Sequence, residues 1–182
     1  MSFLDDIKIY GLIAMIVGLL SLLLGVYGAI DTDHAAAGYA AAAIPGLMLI
    51  FVGFLAYTGK TRSKLTALTY FLLFVGIGIF IAACLGVYGE NLSLMVGVVA
   101  GLVAAVIGYL LYSGKKLDNI WWIVLLLVFI LFAIFKLLEA VDNLKAGGIN
   151  GAAGFISAIL YLVLFLYMVY FLMSKEVKDK FV

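Results

Sequence analysis

Lys136 and Glu139 stand three residues apart in an otherwise apolar run, a spacing that puts an ammonium and a carboxylate on one helical face. Inside hydrocarbon such a pair is costly, and it marks either a solute path or a subunit contact. The alternative is that both side chains snorkel toward the headgroups. Lys136 stands about 22 Å beyond Trp121 at 1.5 Å per residue, within a turn or two of the far edge of a core about 30 Å thick. There the penalty falls below the roughly 2.5–3.5 kcal/mol of a mid-membrane lysine, which favours snorkelling. Asp31, Asp33 and His34 have metal-ligand chemistry. His34 is the only histidine, however, and adjacent side chains rarely converge on one ion, so a solvated loop that caps a helix is expected. Cys84 is the only cysteine, which excludes an internal disulfide and fits a small core residue. Tyr27 and Tyr88 suit an interfacial aromatic belt. There is no Walker loop, no HExxH, no second histidine for haem or a triad, and no paired intramembrane aspartates. No catalytic residue, cofactor or metal is expected, and the chain does not read as an enzyme.

The elements that hold these residues are membrane helices. The chain has 182 residues, 68% hydrophobic and 12% charged, with a mean hydropathy of +1.30; ordinary soluble domains run near 45–50% and 25%. The charges cluster and leave six uncharged runs, 9–30, 35–59, 65–89, 91–114, 119–135 and 146–174. A spanning helix needs roughly 20 mostly apolar residues, so six crossings are predicted, with no room for a soluble domain and no nucleic-acid partner. Six crossings put Lys8, Lys60, Arg62, Lys64, Lys115, Lys116, Lys175, Lys178 and Lys180 on one side. The positive-inside rule then places both termini in the cytoplasm and the protein in the cell membrane. A cleavable leader is not expected, because the string Leu24-Gly25-Val26-Tyr27-Gly28 returns mid-chain as Leu85-Gly86-Val87-Tyr88-Gly89.

That return belongs to a longer pattern. Gly53-Phe54-Leu55-Ala56-Tyr57-Thr58-Gly59-Lys60 reappears as Gly108-Tyr109-Leu110-Leu111-Tyr112-Ser113-Gly114-Lys115. A fainter third copy aligns Ala29-Ile30-Asp31 with Ala140-Val141-Asp142, and sets Lys136 and Glu139 where the first copy has Gly25 and Gly28. The prediction is an all-α bundle of three helical hairpins, about 8–59, 65–114 and 119–174, with a cytoplasmic tail at 175–182. Along the first helix Gly11, Ala14, Gly18, Ser21, Gly25 and Gly28 fall on one face. Lipid gives helices no hydrophobic reason to associate, and bare faces serve by letting backbones approach. Gly46 and Gly53 line the second helix, and Gly97, Gly101 and Gly108 the fourth, the first two of these forming a GxxxG motif. Pro45 sits within the second helix, where it could produce a kink. The third helix is expected at about 66–88.

The last hairpin differs. No glycine occurs from Asn119 to Leu144, Trp121 and Trp122 mark an interface, and the sixth helix ends in Tyr161, Phe165, Tyr167, Tyr170 and Phe171. These bulky helices suit lipid or the side chains of a partner, and Lys175, Lys178 and Lys180 suit anionic headgroups. Three hairpins in under two hundred residues, with segments such as Gly18-Leu19-Leu20 and Val52-Gly53-Phe54, resemble the HdeD-like family of small bacterial and archaeal membrane proteins. Family repeats often place a proline near the end of a hairpin's first helix, whereas Pro45 lies in a second helix. The resemblance implies a stress-associated membrane protein without an established reaction, and it transfers no functional residue. The expected function is structural or accessory: helix contacts with membrane lipid and with other subunits or further copies, made through helices five and six. The competing expectation is a small-solute or ion channel or transporter with Lys136 and Glu139 near its outer mouth.

Overall fold

A computed structural model describes residues 6–31, 36–88 and 95–182. The chain is all-α: α1 Ile7–Asp31, α2 Ala36–Tyr57, α3 Lys64–Tyr70, a π-helical turn Phe71–Val75, α4 Gly76–Tyr88, α5 Met95–Tyr112, α6 Asn119–Ala146, α7 Gly148–Met173 and α8 Lys175–Lys178. The long helices are apolar on every side, which suits a helix surrounded by hydrocarbon or protein rather than water. Three stretches, Lys64–Leu85, Asn119–Lys145 and Gly151–Met173, are long and apolar enough to cross a membrane. Two compact units form, one of Ile7–Lys115 and one that includes Lys116–Val182.

Main chains touch in the first unit. A Cβ built on Gly18 would lie 2.5 Å from the Gly46 carbonyl oxygen, and one on Gly46 would lie 2.7 Å from the Gly18 carbonyl oxygen. Gly11 and Gly53 oppose each other in the same reciprocal way, which makes α1 and α2 antiparallel. Gly76 and Gly101 repeat the arrangement between α4 and α5, and Gly78 lets α4 approach Pro45 and Met48 of α2. Phe51 and Phe74 meet edge to face, 5.0 Å between centroids, along that same α2 boundary. At Gly11, Gly18, Gly46, Gly53, Gly76 and Gly101 a side chain would have to displace backbone, whereas at Gly78 it would meet the Met48 side chain first.

The third helix differs from its expected form. It starts at Lys64, where the Ser63 hydroxyl accepts from the Thr66 N–H at 3.1 Å, and it widens into the π turn before continuing as α4. Phe71-Leu72-Leu73-Phe74-Val75 contains no helix breaker, so nothing local announces the turn. Gly108 of α5 packs against this turn, where a Cβ would lie only 2.5 Å from the Leu73 nitrogen. π turns are usually confined to such single-turn bulges.

Gly59 and Gly114 end α2 and α5 in the same manner, each with φ of +76°. The Lys60 N–H donates to the Leu55 carbonyl and the Gly59 N–H to Ala56; Lys115 donates to Leu110 and Gly114 to Leu111. These are Schellman caps, which satisfy the last carbonyls of a helix and need a left-handed residue. Nothing lies within 4 Å of a Cβ at either glycine, so only backbone strain opposes a side chain. Gly114→Ala is therefore expected to cost about 1 kcal/mol, read as a small fall in melting temperature in mild detergent with unchanged helix content.

In the second unit α6 and α7 run antiparallel. Leu125, Phe129, Ala133 and Ala140 form the buried stripe of α6, while Leu127, Leu131 and Phe135 are exposed on the other side. Phe165 of α7 lies between Phe129 and Phe132, 6.3 and 5.4 Å between centroids. Tyr167 and Phe171 are fully buried, and it is α6 that carries the broad exposed apolar face. The tail also folds back. Leu117 N–H donates to the Lys180 carbonyl and Val182 N–H to the Leu117 carbonyl, both at 2.8 Å, while Val177 and Phe181 are buried.

Candidate functional site

Trp122, Lys136 and Asn143 set polar atoms along one stripe of α6. Trp122, Phe129, Lys136 and Asn143 are spaced by seven residues, so they recur on the side that meets α7. Asp118 starts this helix by accepting from the Ile120 N–H at 2.8 Å. Near the far end, Lys136 Nζ donates to Glu139 Oε2 at 2.6 Å and lies 4.9 Å from the centroid of the Tyr161 ring of α7. The two charged side chains are 27% and 47% exposed, so the pair lies on the flank of the hairpin rather than sealed within it. Carboxylate and π face both attract the ammonium, so Lys136 has its partners where it stands. One turn beyond, the exposed Asp142 and Lys145 pair at 3.7 Å.

Asn143 completes the stripe. Its amide fills the space beside Gly154, where a Cβ would come within 2.6 Å of Oδ1. Next to it, the turn between the helices bends through Gly147 and Gly148, with φ of +66° and +70°. A groove of about 290 Å³ opens there, lined by Asn143, Gly147, Gly151, Phe155 and Ile156 among others. At the opposite end of the hairpin, Trp122 Nε1 donates to the Leu172 carbonyl at 2.8 Å, and Lys178 lies 5.2 Å over the Trp122 ring. Trp122→Phe keeps the ring and deletes the donor. It is expected to cost about 1 kcal/mol and to raise amide exchange near Leu172; unchanged exchange would refute the tie.

The residues singled out from the sequence separate into distinct places. Gly11, Gly18, Gly46 and Gly53 meet across α1 and α2, and Ala14 is fully buried. The Ser21 hydroxyl donates to the Val17 carbonyl at 2.9 Å, within its own helix. Gly101 and Gly108 contact the α4 rod and its π turn, and a Cβ on Gly97 would lie 3.1 Å from that of Ala83. Gly25, Gly28 and Asp31 lie in α1, and Tyr88 closes α4; their side-chain surroundings, like those of Tyr27, fall outside the described residues, as do Asp33 and His34 altogether. Cys84 is exposed and carries a free thiol. Among the described residues no group of three or more His, Cys, Asp or Glu side chains could hold a metal ion. The seven-residue spacing from Trp122 marks Asn143 as a member of this stripe, whereas Tyr161, on α7, has no such signal in the sequence. Compared with known families, curated proteins and solved structures, the chain matches none of them.

Proposed function

We propose that the chain is a multi-pass cell-membrane protein of six spanning helices in three hairpin repeats, with both termini cytoplasmic. It acts through helix contacts, as a structural or accessory subunit of a membrane complex or as a homo-oligomer. The reading rests above all on reciprocal backbone contact: Gly18 with Gly46, Gly11 with Gly53, Gly76 with Gly101. Packing of this kind is how helices associate when hydrophobic burial offers no gain. The identical caps at Gly59 and Gly114 support the repeat. α1 and α2, at 25 and 22 residues, reach about 37 and 33 Å, enough for a core of about 30 Å. The HdeD-like layout belongs to the same proposal as a likeness of arrangement.

The polar stripe favours this role over a solute path. Lys136 is already matched by Glu139 and Tyr161, whereas a transported ion would have to compete with both. The exposed face of α6, with Leu127, Leu131 and Phe135, supplies the surface for lipid or a further subunit. The test is gentle extraction from the native membrane followed by mass measurement of the assembly. An assembly larger than the 19.6 kDa chain, lost when Leu131 and Phe135 are made alanine, is expected. A monomer that moves ions or small solutes across vesicles would replace this reading with the conduit.

A further inference from the structure

We propose that the end of the first unit carrying Lys60, Arg62 and Lys115 binds the phosphate of anionic phospholipid headgroups, an inference that rests on the membrane placement above. The antiparallel order brings the start of α1, the end of α2, the start of α3 and the end of α5 to one end of this unit. Tyr70 and Tyr112, 6.5 Å apart at their centroids, tie the α3 and α5 termini together there. Lys60 and Lys115 each follow a left-handed glycine, and their own N–H groups are fixed to Leu55 and Leu110. Lys60, Arg62 and Lys115 are exposed. Neither segment, 57–64 or 112–115, contains a carboxylate; along the sequence the nearest acids are Asp33 and Glu90 to the first and Asp118, beyond Lys116, to the second.

A second observation sets the depth. Tyr57, Tyr109 and Tyr112 are exposed in the last turn of α2 and of α5, just short of these cations. Tyrosine on an apolar helix surface favours the headgroup boundary, which leaves the basic side chains at the phosphate level. An Arg fork takes two phosphate oxygens, and lysines supply mobile point charges beside it. The Thr58 and Ser113 hydroxyls donate inward, to the Phe54 and Leu110 carbonyls, so the recognition is carried by the cations.

The full-length protein in mild detergent, titrated with phosphatidylglycerol, phosphatidylcholine or soluble glycerol phosphate, tests this by native mass spectrometry. Phosphatidylglycerol is expected to bind about tenfold more tightly than phosphatidylcholine, and glycerol phosphate not at all. The triple variant Lys60→Gln, Arg62→Gln, Lys115→Gln should lose most of that preference while keeping its helix content. A control with Lys145→Gln, a lysine paired with Asp142 in the second unit, should keep the preference. Equal binding of the two lipids by the parent protein, an unchanged preference in the triple variant, a preference lost equally in the control, or capture of glycerol phosphate alone would each overturn the proposal. Release of the protein from membranes by alkaline carbonate would instead remove the membrane placement itself.

Discussion

Gly18→Leu is expected to cost about 3 kcal/mol or more, enough to abolish recovery of folded protein from the membrane. The reason lies in what surrounds the missing Cβ. Its nearest neighbours would be the Gly46 carbonyl oxygen at 2.5 Å and the Ile50 nitrogen at 2.7 Å. Both are main-chain atoms of α2 and cannot rotate away as a side chain could. Gly18→Ala is the sharper test, because two effects oppose each other there. Alanine is the better helix former by about 1 kcal/mol, so a site with free space would gain stability. At Gly18 the steric term should win and the variant should melt at lower temperature. Leu127→Ala is the matching control. Leu127 is 55% exposed, so little packing is lost with its side chain. Stabilisation by Gly18→Ala, or equal loss in the leucine variant and the control, would show that α1 and α2 do not meet at Gly18.

Lys136→Met should lower stability by about 1–2 kcal/mol, less than the roughly 3–5 kcal/mol of breaking a sealed ion pair. Methionine keeps the length and apolar stem of the lysine. It removes the ammonium that donates to Glu139 Oε2 and covers the Tyr161 ring. Glu139 then keeps a charge without its partner, but at 47% exposure that charge can turn toward water or headgroups, which reduces the penalty. The double variant Lys136→Met, Glu139→Gln removes both charges and should recover most of the loss. A double-mutant cycle in one detergent measures the coupling. A double variant that loses the sum of the two single losses would mean that the pair contributes nothing and that the missing contact is the one with Tyr161.

Much of this architecture is legible without coordinates because it depends on local rules. Small residues at steps of three and four must share a helical face, and Gly11, Gly18, Gly46 and Gly53 could be read as contact positions from spacing alone. A glycine followed by lysine after an apolar run predicts a helix end at Gly59 and at Gly114, since the left-handed cap is a property of the adjoining residues. The i, i+3 pairing of Lys136 with Glu139 follows from helix geometry in the same way.

What the tertiary structure decided is whatever depends on a neighbour distant in the chain. Gly18 could have faced any bare helix; that it meets Gly46 follows from how α1 packs on α2. The π turn at Phe71–Val75 lies where α5 presses Gly108 on Leu73, and no residue within the turn encodes that approach. Lys136 lies over Tyr161 as well as bonding Glu139 on its own helix, because α7 offers a π face at that level. The tail pairs with Leu117 through backbone groups, which carry no side-chain signature for a sequence to display. Periodicity selects the face of a helix; only packing chooses which surface that face meets.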